Sequence, residues 1–113
     1  MTIRYKNAGI NLTTTGTESV LTCPSNATVL IKQIQINNGS VGNVNFTVQV
    51  TDTSATATFR IFSEAVTGAA TKDIINNTLV LEAGDILKMT AGTANEIQGI
   101  VSYALLDRSQ ENG

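Results

Sequence analysis

The stretch NVNFTVQVT sets Val44, Phe46, Val48 and Val50 in strict alternation with Asn45, Thr47, Gln49 and Thr51. Successive side chains of an extended chain point to opposite faces, so this period of two specifies a strand with one buried and one wet face. The same period runs through ATVLIKQIQIN, but Val29 and Ile31 share one parity while Ile34 and Ile36 share the other. The facing therefore switches near Lys32, as a bulge or a change of sheet would require. IQGIVSYALL places Ile97, Val101, Tyr103 and Leu105 on one face and Ile100, Ala104 and Leu106 on the other, which predicts a central strand covered on both sides.

Six weaker segments extend the pattern: TIRYKN, SVLTC, TATFRIF, KDIIN, TLVLE and ILKMTA. Between the segments lie turn-forming clusters at 13–16, 24–26, 37–42, 52–55, 66–70, 76–77, 82–85 and 92–95. Short strands at this even spacing predict an all-β chain, a single antiparallel β-sandwich or jelly-roll-like domain of about eight short strands. One domain spans 1–113, with flexible ends at 1–8 and 107–113. A helical turn around Glu64 to Val66 is an alternative within SEAVTGAATKDII, although Gly68 and its β-branched neighbours oppose a long helix.

The length of 113 residues suffices for one compact core. Apolar residues make up 42% of the chain and charged residues only 14%, so the polar surface must come from Thr, Asn, Ser and Gln. A formal net charge of -2 with scattered Lys and Arg gives no electrostatic basis for binding nucleic acid or an anionic membrane. Cys23 is the single cysteine, so no intrachain disulfide forms, and its place in VLTCP is that of a small hydrophobe at a strand end. MTIRYKNAGINL lacks the apolar core of a secretory signal, so the expected setting is cytosolic assembly. Matches to Asn-x-Ser/Thr at Asn11, Asn26, Asn38, Asn45 and Asn76 then follow from an Asn- and Thr-rich composition.

The chain contains no histidine, which removes the usual general base, the commonest zinc ligand and the orienting member of a hydrolytic triad. No phosphate-binding glycine loop is present either. LVLEAGDILKM sets Glu82 and Asp85 around a glycine, a pair that could act as acid and base or bind a hard cation. Ala83-Gly84 between apolar flanks is what a tight turn needs, with Gly accepting positive φ and Asp bonding to nearby backbone, so the pair is taken as a corner. No catalytic, cofactor-binding or metal-binding residue is assigned, and no cofactor is expected. The candidate interface residues are Ile3 and Tyr5, as apolar anchors on an N-terminal arm reaching a neighbouring subunit, and Asn38 and Gly39, in an exposed recognition loop over 37–42. Each has a plain structural alternative: the first strand of the sandwich for the arm, a bend after a strand for the loop. The few aromatic residues, Tyr5, Phe46, Phe59, Phe62 and Tyr103, are expected in the core or in subunit contacts.

The order of motifs over residues 13–107 resembles that of the small β-sandwich virion proteins of tailed bacteriophages, including those of cyanophages. A Thr/Gly turn leads to SVLTCPSNATVLIKQIQINN, then an alternating strand, then NTLVLEAGDILKMTAGTANEIQGIVSYALLD. In those proteins a (Y/L)TCP turn precedes a long strand, and LVLEAGD precedes an Ala/Asn turn and a final VSYxxL strand. The resemblance implies a non-enzymatic structural role in the virion, as a capsid decoration (cement) protein packing as a homo-oligomer against the major capsid or neck and tail proteins, after assembly in the host cytoplasm. A neck, tail or fibre accessory, or a module binding a host glycan or receptor, is the alternative. The resemblance transfers no catalytic residue.

Overall fold

In the computed structural model of the chain, which describes residues 2–108, nine strands and no helix form two antiparallel sheets. The strands are β1 (Thr2–Asn11), β2 (Glu18–Thr22), β3 (Ala27–Asn38), β4 (Val44–Asp52), β5 (Ala57–Val66), β6 (Thr71–Asp73), β7 (Leu79–Leu81), β8 (Ile86–Ala91) and β9 (Ile97–Asp107). The first sheet runs β1-β9-β3-β6, with β7 also on β3; the second runs β2-β8-β4-β5. β7 pairs with Val29–Ile31 and β6 with Gln35–Asn37, so the two are halves of one interrupted strand on the same flank of β3. Between them the chain turns out of the ladder, held by the Ile74 N–H donating to the Ile34 carbonyl at 2.9 Å. Counted by position, eight strands form two four-position sheets, and the chain passes between the sheets at every connection except the β4–β5 hairpin, which is jelly-roll topology.

The alternation predicted for 44–51 is what buries β4: Val44, Phe46, Val48 and Val50 face the opposite sheet. Phe46 is fully enclosed and meets the Phe62 ring in a tilted arrangement, with centroids 5.9 Å apart and 55° between the planes. In β3 the pairing with β9 slips between Ile31 and Gln33, which leaves Lys32 as the extra residue. The bulge keeps Val29 and Ile31 inward before it and Ile34 and Ile36 inward after it, as the parity switch predicts. The core lies between these faces and those of β8 and β9, with Leu87, Met89, Val101, Tyr103 and Leu105.

Three expectations need correction. β9 is central by hydrogen bonding, between β1 and β3, yet only its odd-numbered face packs into the core between the sheets; on the other face Ala104 is buried but Ile100 is 43% exposed. Among the described residues no third layer packs there, because the helices that cover both faces of parallel sheets have no counterpart in this topology. Residues 2–8 do not form a free arm: β1 pairs with β9 from Thr2↔Asp107 to Asn11↔Gln98, so the first-strand alternative holds. Asp107 likewise lies within β9, whereas the rest of the flexible end expected at 107–113, beyond Arg108, lies outside the described residues. Glu64 to Val66 continue β5 and form no helical turn.

Candidate functional site

The acidic corner is built from two turns that meet at one end of the sandwich. In the 82–85 turn the Asp85 N–H donates to the Glu82 carbonyl at 2.9 Å, and Gly84 takes φ of 84°, a conformation open to glycine. The Gly84 N–H reaches the Cys23 carbonyl and the Cys23 N–H the Asp85 carbonyl, each at 2.9 Å, which ties the turn to the end of β2. Asp85 is buried, and its carboxylate accepts the Glu82 N–H at 3.0 Å and the Thr53 N–H at 3.1 Å, with the Thr53 hydroxyl 3.2 Å away. One carboxylate thus caps its own turn and fastens the 52–56 turn to it. Cys23 is buried beside them with Sγ 3.3 Å from the Ala27 carbonyl, and burial pushes its thiol pKa up, which keeps it a packing group.

Sequence reasoning missed Asp52, which the fold brings to this corner from 30 residues before Glu82. Carboxylate oxygens of Asp52, Glu82 and Asp85 lie within 4.8 Å of one another, and a cleft of about 290 Å³ beside Glu82 and Asp85 is also lined by Thr28, Ser54, Ala83 and Arg108. The Ser54 hydroxyl at 2.7 Å and the Ala55 N–H at 3.1 Å hold the Asp52 carboxyl below the usual carboxylate range. Arg108 donates to the Thr28 hydroxyl at 2.9 Å. Asp52 and Asp85 each accept a backbone N–H from their own turns, which is turn-capping chemistry. The signal available in the sequence was DTSAT, an Asp and a Ser spaced to close a turn.

Asn38 corrects the recognition-loop expectation. It ends β3 fully buried, and its amide nitrogen donates to the carbonyls of Gly42 and Val66, each at 3.0 Å, and lies 3.4 Å from that of Thr67. Its Oδ1 accepts the Ser40 N–H at 2.9 Å. These bonds close the 39–43 loop over the end of β5, so the side chain is a bracket inside the fold and does not present itself to a partner. Gly39 is exposed and anchored by its N–H to the Glu96 carbonyl at 2.8 Å. Ile3 and Tyr5 sit at the opposite end of the first sheet, opposed to Leu106 and Ala104, so the four candidates do not form one surface.

Ile3 and Tyr5 belong instead to the outer face of the first sheet. Directly opposed residues of an antiparallel ladder share a face. The register therefore lines up Tyr5, Ala104, Leu30 and Val80 across β1, β9, β3 and β7, with Ile3, Leu106 and Thr28 in the next row. Tyr5 is 82%, Ile3 55% and Val80 50% exposed. Toward the other end the face turns mostly polar: the bulge residue Lys32, then Asn7, Ser102 and Gln33, then Gly9, Ile100, Gln35 and Asp73, then Asn11, Gln98, Asn37 and Thr71. Its polar groups bond along the sheet, Gln33 to Asp73 and Asn37 to Thr71 at 3.1 Å and Gln98 to Asn11 at 3.3 Å. Leu30 and Val80 were not singled out from the sequence for this face; the apolar even positions of β9, Leu106 among them, were the signal, there assigned to a second covered side.

No protein-family model and no curated protein matches the chain. A chain in the structure of infectious bursal disease virus, Gx strain, superposes with a TM-score of 0.50 at 9% identity, over 97% of this chain and 34% of that one. The present chain thus spans about a third of the length of that viral chain. The Clostridium thermocellum endo-1,4-beta-D-xylanase 10B CBM22-1-GH10 modules, complexed with xylohexaose, superpose at 0.44 and 10% identity over 78% of this chain and 18% of that one. Eiger TNF from S. frugiperda superposes at 0.43 and 10% identity over 91% and 92%. At these identities the likeness to the viral chain establishes the shared sandwich fold.

Proposed function

We propose that this chain is a non-enzymatic structural protein of a tailed-bacteriophage virion, a capsid decoration protein that packs in several copies on the particle against the major capsid protein. The observation that carries this reading is the outer face of the first sheet, where Tyr5, Ile3 and Val80 are exposed beside the half-buried Leu30 and Leu106 and the buried Ala104. A contiguous apolar patch rimmed by polar residues is the signature of a protein contact surface. The phage-like order of motifs over residues 13–107 supports the setting, as does a fold shared with a chain of a virus structure.

The sandwich suits such a role physically. Its core is continuous between the sheets, and three turns are locked by the buried polar side chains Asp85 and Asn38, so its faces are preorganised and lose little freedom on docking. The sheet edges carry charge: Arg4 and Lys6 on β1, Arg60 and the Glu64–Lys72 ion pair at 2.8 Å beside β5. Charged edges oppose open-ended strand pairing and direct association to the faces.

Electron microscopy of the assembled particle tests the proposal. Density for the jelly roll on the capsid surface is the expected result, density at the neck, tail or fibre would move the protein to the accessory class, and its absence from purified particles would refute the virion assignment.

A further inference from the structure

We propose that Asn38-Gly39 is a latent self-modification site: the closed 39–43 loop holds off deamidation of Asn38, a local opening lets it run, and the product can no longer close the loop.

The reaction needs only the chain itself and water. The Gly39 backbone nitrogen attacks Asn38 Cγ, giving up its proton to water as the new N–C bond forms. The Cγ–Nδ2 bond breaks, and the nitrogen takes a proton from solvent and leaves as ammonia. Water then opens the cyclic imide at either carbonyl, which leaves an aspartate or, with the main chain rerouted through Cβ, an isoaspartate. Glycine after the asparagine favours this attack, because no Cβ screens the nitrogen. The chain contains the dipeptide twice, at 38–39 and at 112–113, and the second lies outside the described residues.

The fold closes the route. Ring formation must bring the Gly39 nitrogen and the Asn38 Cβ to an eclipsed position about the Asn38 Cα–C bond. Asn38 ends β3 paired with Ile97, and extended strand backbone keeps those two atoms apart. The Gly39 N–H is donated to the Glu96 carbonyl at 2.8 Å, so the proton that the nitrogen must lose is engaged. The leaving nitrogen donates to the Gly42 and Val66 carbonyls while Oδ1 accepts the Ser40 N–H, which fixes the amide plane. Asn38 is also fully buried, away from the water that must take and supply protons.

One turn straps the loop shut. The Ala69 N–H donates to the Ser40 carbonyl at 2.9 Å and the Gly68 N–H to Asn43 Oδ1 at 3.3 Å. The fit is so close that a Cβ on Gly68 would lie 2.3 Å from the Val41 carbonyl oxygen. Lifting 39–43 off this turn releases the Ser40 and Gly42 ends of the bracket together, an opening of a few residues that leaves the two sheets standing. Deamidation makes that opening permanent. A carboxylate at position 38 has no N–H for the Gly42 and Val66 carbonyls and repels them, so the closed state is lost.

Peptide mapping by mass spectrometry, on the full chain held at mildly alkaline pH, measures deamidation at 38 apart from that at 112–113. Folded wild type is expected to react on the order of a hundredfold more slowly than the urea-unfolded chain, and equal rates overturn the protection. Gly68→Ala, shown to be folded by circular dichroism, is expected to react roughly tenfold faster than wild type, because the added Cβ forces the loop open. Asn43→Ala removes only the acceptor of the Gly68 N–H, is expected to accelerate the reaction roughly threefold, and decides the matter if Gly68→Ala does not fold. Gly42→Ala, where a Cβ meets nothing within 4 Å, should keep the wild-type rate. Gly39→Ala added to either accelerating variant should cancel the gain, as the imide route requires. No acceleration in any folded variant of the strap overturns the gate. Hydrogen exchange on the deamidated wild type reads the latch: the Gly39 and Ser40 amides are expected to lose protection, and protection retained overturns the one-way opening.

Discussion

Asn38 marks how far a residue's type falls short of its role. As part of Asn-Gly it carries the sequence signature of an exposed bend, yet its amide satisfies carbonyls of Gly42 and Val66 in the interior. Asn38→Asp would replace the donor by a carboxylate facing those oxygens. A loss of about 3 kcal/mol or more in urea unfolding is expected, the cost of unpaired buried polar groups when one is charged. A loss below about 1 kcal/mol would mean that the loop relaxes and the bracket is dispensable. Asp85 shows the opposite outcome: the Gly84 positive φ and the Asp side-chain bond were both readable, because turn chemistry is local to four residues. The Asp85 bond to Thr53 was not, since it joins turns 32 residues apart.

At the scale of elements, the β3–β9 ladder depends on close backbone approach at Gly99. A Cβ there would collide with the Gln35 carbonyl oxygen and lie 2.9 Å from the Ile36 Cα, so no side chain fits between the strands. Gly99→Ala is expected to cost about 1–3 kcal/mol in urea unfolding through overpacking. Gly9→Ala, on the neighbouring β1 where an added Cβ meets nothing within 4 Å, is the control and should change stability little. Equal effects would show that the strain is absorbed by the β3 bulge. The sites of β4, β8 and the β3 parity switch were legible because period two is a property of single strands. The end of KDIIN was not: β6 stops at Asp73, and Ile74 and Ile75 turn to pack against the core, a choice made by the Ile34 carbonyl across the gap.

For the whole molecule, the role of β1 is decisive. It supplies an entire flank of β9, so removing residues 1–8 would strip the ladder partners from Val101 to Asp107. At about 1 kcal/mol for each lost bond, the truncated chain is expected to lose its cooperative urea transition. A truncated chain as stable as the full one would show that the first strand is an accessory, as the arm expectation held. The sequence by itself determined that this chain is an all-β sandwich, where most of its turns fall and which parity of β3 and β4 seeks the core, because alternation and turn chemistry act over a few neighbouring residues. Only the tertiary structure decided that the even face of β9 is left open, that Ile3 and Tyr5 share it with Leu30 and Val80, and that Asp52 joins Glu82 and Asp85. Those juxtapositions come from strand order and register, and these are set by how two whole sheets minimise exposed apolar area together, a condition that no single segment encodes.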